Sequence, residues 1–143
     1  MRIAIAGGFD PIHAGHISHI VEARKLVGQG GTLYVILARD DQLVKKKGRT
    51  FYKNYSEREA IISNIKGVKI VVKNIDEDTT CAKTLAFIKP DVFAKGGDRT
   101  PDNMPKAEID TCNELGIRIV YGVGRLLNSS TELTRKMNRK DYW

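Results

Sequence analysis

The residues that could do chemistry come early in the chain. His13 and His16 stand three apart, directly after Gly7-Gly8-Phe9-Asp10-Pro11-Ile12. The apolar alternation Ile3-Ala4-Ile5-Ala6 before them reads as a buried strand. Ile17, Ile20, Val21, Ala23 and Val27 after them carry helical spacing. The glycines therefore sit where a strand gives way to a helix. Such a turn holds phosphates, because a helix start offers unpaired N–H groups and a partial positive charge. Gly7 and Gly8, without side chains, let an anion approach the backbone. With the helix starting near His13, both imidazoles lie on one face of its first turn. Paired imidazoles beside a cradle of amides suit charge that builds on a transferring phosphoryl or nucleotidyl group. Metal ligation is the competing reading, and the companions of a His-Glu-x-x-His helix are missing.

Three further groups join them. Lys45, Lys46 and Lys47 follow the second strand. Solvated surface is the ordinary fate of adjacent lysines, but beside a triphosphate one of them could close over the phosphates as a point charge. Lys95-Gly96-Gly97-Asp98-Arg99 follows a buried strand. Glycines there are either a plain turn or a place where something approaches the backbone closely. Asp98 could accept hydrogen bonds from ribose, sugar hydroxyls or an amine. Ser129-Ser130-Thr131 opens a helix; a serine cap needs no function, yet hydroxyls and free N–H groups together make a phosphate site. His19, one turn beyond His16, reads as an ordinary helix residue.

The elements that position these groups alternate. Strands are predicted over 3–6, 32–37, 68–72, 91–94 and 117–121. Helices are predicted over 17–27, from the capping-box pattern Ser56-x-x-Glu59 to a stop at Gly67, over 82–88 before Pro90, over 105–115 before Gly116, and from Ser129 to about residue 140. Residues 43–55 read as a lysine-rich segment and a polar loop. Alternation without a hairpin signal predicts an α/β fold: a Rossmann-like, doubly wound, five-stranded parallel sheet with helices on both faces. Right-handed crossovers put the loops after each strand along one edge, where ligands bind in such folds. All of the chemical groups fall in those loops.

The chain has 143 residues, one domain's worth, so 1–143 is read as a single domain. The formal net charge of +7 suits polyanionic substrates as well as nucleic acid. The absence of clustered aromatics for stacking bases argues against a nucleic-acid partner. No apolar stretch approaches the roughly 20 residues that span a bilayer. The N-terminus runs into strand sequence without a signal-peptide layout, and the expected location is cytoplasmic. Cys81 and Cys112 make no zinc or Cys-x-x-Cys pattern and are expected as buried free thiols. No protein-bound metal site is expected.

The segment from Gly7 to His16 resembles the His-x-Gly-His signature of the nucleotidyltransferase (cytidylyltransferase-like) superfamily. The resemblance implies that His13 and His16 bind nucleotide phosphates and stabilise the transition state. It implies that Gly7, Gly8, Phe9, Asp10 and Gly15 line the same pocket. It also implies a functional lysine in the loop after the second strand: spacing from Gly48 favours Lys47, and spacing from Asp40 favours Lys46. Arg58 matches an arginine that holds the second substrate or the nucleotide. Ser129, Ser130 and Thr131 match a triplet that binds the β- and γ-phosphates, with Arg125 close to the arginine that precedes it. The run from Phe87 through Lys95, Gly96, Gly97 and Asp98 resembles the nucleotidyltransferase part of ADP-heptose synthase. Glycerol-3-phosphate cytidylyltransferases have a related segment.

The expected reaction is nucleotidyl transfer. A phosphate oxygen of the acceptor attacks the α-phosphorus of ATP or CTP in line, and pyrophosphate leaves. Mg2+ is expected to bridge the phosphates with few direct protein ligands. The partners are a nucleoside triphosphate and a phosphorylated small molecule, and the family admits a homodimer. The favoured acceptor is a sugar phosphate such as a heptose 1-phosphate, a precursor of lipopolysaccharide or another cell-surface polymer. The alternative is a mononucleotide, nicotinate mononucleotide or FMN, since the lysine-glycine loop after the second strand resembles archaeal-type FAD synthases. A non-catalytic nucleotide-binding protein is the reading from another class.

Overall fold

The computed structural model describes residues 1–124. Five strands, β1 (Arg2–Gly7), β2 (Thr32–Leu37), β3 (Ile70–Lys73), β4 (Val92–Ala94) and β5 (Arg118–Val120), form one sheet in the order β3-β2-β1-β4-β5. Every pairing is parallel. The helices among the described residues are α1 (Ala14–Val27), α2 (Asp40–Lys47), α3 (Tyr55–Ser63), α4 (Ala82–Ile88) and α5 (Lys106–Leu115). A 3-10 turn spans Pro101–Asn103.

Side-chain alternation along β1 divides the core. Ile3 and Ile5 point to the face covered by Ile20, Ala23 and Val27 of α1 and Ile62 of α3. Ala4, with Ile36 of β2 and Phe93 of β4, points to the face covered by Leu85 and Ile88 of α4 and Cys112 of α5. Burial of each large aliphatic contributes about 1.5–3 kcal/mol. Both faces are therefore covered, as the apolar strands require. The free thiols Cys81 and Cys112 are buried.

Strand order reverses between β1 and β4, which pair side by side although some 85 residues of chain separate them. The loops after these two strands diverge to opposite sides, leaving a crevice at the carboxyl edge of the sheet. One carries the histidines and the other carries Lys95 to Arg99.

The structure corrects the expected elements in two places near the crevice. The lysine segment is helical, not loop. Asp40 and Asp41 occupy the first turn of α2, Lys45 to Lys47 the last, and Gly48 closes it in the left-handed region at φ 67°. This charge order matches the helix dipole at both ends, and it outweighs a poor apolar pattern. The cap of α3 is Asn54, whose side chain accepts from the Glu57 amide at 2.9 Å, so Ser56 lies inside the helix. Elsewhere strand ends shift by one or two residues, as ends commonly do. The last predicted helix lies outside the described residues.

Candidate active site

The first turn of α1 builds the centre of the site. His13 is the N-cap residue, and its Nδ1 accepts from the Gly15 amide at 3.1 Å. The His13 amide in turn donates to Nδ1 of His16 at 3.1 Å. This is a capping box made of two histidines instead of serine and glutamate. The rings stack with centroids 3.7 Å apart and planes 19° from parallel. Because both Nδ1 atoms accept, both Nε2 atoms carry the proton. Each imidazole is thus held as an N–H donor on its Nε2 side.

Both rings stay neutral at physiological pH. Desolvation pushes His16 down to about 4, helped by His13, His19 and Lys47. Burial lowers His13 too, and Lys47 adds to it. Phe9, itself buried and in the left-handed region at φ 49°, sets its ring edge-on against His16 at 4.9 Å. Such a backbone angle is uncommon for a bulky residue. It turns the ring under the histidines, where a Cβ on Gly7 would lie 3.2 Å from it. At Gly8 a Cβ would run into the Leu43 side chain of α2, so the glycine lets α2 pack close.

These residues line a cavity of about 850 Å³. It also takes in Lys46, Lys47, Lys95, Gly96, Gly97, Asp98 and Arg99. Gly15 lines it as well. The expected groups from the β1, β2 and β4 loops thus meet in one place. The two lysines divide the cleft: the charge of Lys47 is felt by both His13 and His16, while Lys46 faces Arg99, Lys95 and Glu108. Lys46 is exposed as a residue, yet desolvation lowers its ammonium pKa, and the cations Arg99 and Lys95 lower it further. Crowded cations of this kind await a polyanion. Lys45 points elsewhere, to a shallow hollow with Asp76, Asp78 and Lys83.

Two of the expected site residues act as braces. Arg58 is fully buried. Its guanidinium donates to the carbonyls of Lys53, Gly8 and Ala38 at 2.9, 3.1 and 2.7 Å and to Asp40 at 2.7 Å. Burial behind the loops, with all three of its nitrogens engaged, corrects the expectation that it holds a substrate: it locks the β1 and β2 loops together. Asp10 borders the cavity, but its two carboxylate oxygens accept from the Tyr52 and Lys53 amides at 2.7 and 2.8 Å. It anchors residues 52–53 beside the histidine turn.

Among the cleft residues that were not expected are two with titratable side chains, His19 and Glu108. His19 borders the cleft and bonds through Nδ1 to the Val123 carbonyl, tying α1 to the segment after β5. Desolvation lowers its pKa against the opposing pull of the Val123 carbonyl. Its spacing of three from His16 was the available signal. Glu108, in the first turn of α5, is buried at the cleft wall. Its signal was a carboxylate four residues before Cys112, on the inward face of a helix. Arg125, Ser129, Ser130 and Thr131 lie outside the described residues.

A model of the family described as Cytidylyltransferase-like matches residues 4–132. The chain belongs to this family. The chain is accordingly a nucleotidyltransferase, and the histidine turn lies within the matched segment. A protein called FAD synthase from Methanobrevibacter smithii is 30% identical over 148 aligned positions, covering 99% of this chain and 93% of that one. Another FAD synthase, from Korarchaeum cryptofilum, is 37% identical over 101 residues, 71% of this chain and 67% of its own. The bifunctional protein HldE of Citrobacter koseri is 36% identical over 103 residues, which is 71% of this chain but 20% of that protein. A solved structure described as a lipopolysaccharide core biosynthesis protein from Thermoplasma volcanium superposes with a TM-score of 0.70 at 31% identity, covering 87% of this chain and 98% of that one. Among the described residues no helix is long and apolar enough to cross a membrane.

Proposed function

We propose that this nucleotidyltransferase joins AMP from ATP to FMN, forming FAD. An oxygen of the FMN phosphate attacks the α-phosphorus of ATP. The new P–O bond forms as the bond from that phosphorus to the α,β-bridging oxygen breaks, and pyrophosphate carries off the electron pair. The attacking oxygen is already anionic, so no side chain has to take a proton from it. Catalysis is then positioning and charge stabilisation. The Nε2–H donors of His13 and His16 meet the oxygens on which charge grows. Lys47, beside them, and Lys46, deeper toward Lys95, neutralise the phosphates. Ser129, Ser130 and Thr131 are proposed to hold the leaving pyrophosphate, and Asp98 to accept from a hydroxyl or amine at the cleft mouth.

Magnesium fits this donor set as an ion carried on the nucleotide. Among the described residues no group of three His, Cys, Asp or Glu could hold a metal, and both oxygens of Asp10 are engaged. Asp98 is the exposed carboxylate at the cleft that could touch its water shell. Bound with the phosphates, the ion would supply charge neutralisation.

The observation that carries the acceptor choice is the nearly end-to-end correspondence with a protein called FAD synthase. Exposed Tyr52 at the cleft mouth, with Arg49 stacked 4.6 Å from its ring centre, suits a flat aromatic substrate. A sugar 1-phosphate is the second reading, favoured by the partial match to HldE. Pyrophosphate release should be measured with ATP and CTP, each crossed with FMN, nicotinate mononucleotide and heptose 1-phosphate. ATP with FMN is expected to give the highest kcat/KM, with FAD as product. Turnover of heptose 1-phosphate and none of FMN would overturn the acceptor assignment.

A further inference from the structure

Glu108 is 5% exposed, in the wall of the cleft. One carboxylate oxygen, Oε2, accepts from the Cys81 amide at 3.1 Å. The other, Oε1, is buried and has no hydrogen-bond partner. The nearest cation is Lys95, whose Nζ lies 3.9 Å from Oε1, an ion pair too long for a hydrogen bond. Lys95 is itself nearly buried and sits over the Phe93 ring at 4.6 Å. The pair is thus fixed between the starts of α4 and α5. A buried acceptor without a donor is costly, and native structures rarely leave one so.

Glu108 lines the cleft, so a substrate bound there is a natural source of the missing donor. Phosphates cannot supply it: they are acceptors, and they repel a carboxylate. The matching chemistry is a neutral O–H or N–H on the rest of a substrate, such as a ribityl or ribose hydroxyl or a ring N–H.

We propose that Glu108 is a specificity residue whose Oε1 accepts a hydrogen bond from a hydroxyl or N–H on the non-phosphate body of one of the two substrates. Lys95 holds the carboxylate in place for that bond. The inference rests on the proposed FMN and ATP reaction, and FAD formation by the wild-type protein tests that reading separately.

Glu108→Gln leaves an acceptor for the Cys81 amide and puts an NH2 where Oε1 stood, so two donors meet. A hydrogen bond to a charged group is worth about 1.5–3 kcal/mol, so KM for one substrate should rise about 10–100-fold. The KM for the other substrate and kcat should hold. Glu108→Asp keeps the charge beside Lys95 but draws the carboxylate back, and should shift the same KM. Binding of ATP alone and of FMN alone to both variants, by calorimetry, reads the effect without turnover. Selective weakening toward FMN assigns the bond to the acceptor, and toward ATP to the nucleoside; either supports the proposal. If the folded variants bind both substrates as the wild type does, water fills the position and the proposal falls. If they only melt earlier, with no selective change in KM, Glu108 is structural and the proposal falls as well.

Discussion

A histidine can stabilise a phosphoryl group as a cation or as a neutral donor, and the two choices have different consequences. Here the capping bonds to both Nδ1 atoms and the lowered pKa values fix the neutral choice. Asparagine can imitate the Nδ1 side of a histidine, and glutamine the Nε2 side. His16→Asn should therefore keep the cap and the melting temperature but lose the inner donor, lowering kcat about 100–1,000-fold. His16→Gln should lose the cap, about 1 kcal/mol, and retain more turnover than His16→Asn. Steady-state pyrophosphate release beside thermal melting separates the two, and equal turnover in both variants would refute the assignment of roles. Proton linkage gives a second test. The unfolded chain protonates His16 near 6.5, the folded chain near 4. Between those values the unfolded state binds more protons, so stability falls as pH drops from 6.5 toward 4. Urea midpoints at pH 7, 6, 5 and 4.5 should fall less steeply in His16→Asn than in the wild type.

At the scale of elements, the histidine turn is only as good as what braces it. Arg58 of α3 gathers Gly8 after β1, Ala38 after β2, and Asp40 at the start of α2. Arg58→Met would leave buried carbonyls without donors and Asp40 without its cation, at a cost of about 3–5 kcal/mol in urea unfolding. A residue that merely held substrate would raise a KM at unchanged stability. The sequence showed that an arginine stands here but not that it faces inward, because long-range hydrogen bonds leave no local pattern. The same holds for Asp10, legible as a motif carboxylate and silent about the Tyr52 and Lys53 amides that it receives. By contrast, the strand-to-helix turn and the placing of His13 and His16 on the first turn of α1 were legible, because helical spacing is local, while their mutual capping bonds were not read from it. The alternation of strands and helices was legible too, and α2 was missed because its signal is charge order rather than apolar period. Glu108 lay hidden for Arg58's reason: its partners come from α4 and β4.

The whole molecule turns on the order β3-β2-β1-β4-β5. The positive net charge of +7 and the cations gathered in the cleft favour fast capture of polyanionic substrates, an advantage that salt would erode. The sheet has a temporal consequence as well. β1 leaves the ribosome well before its neighbour β4, which starts at Val92. A growing chain therefore carries its histidines long before it owns the second wall of the crevice. Until that wall arrives, the histidine turn has nothing to close against, so a substrate held between the two walls cannot serve as an early template for folding.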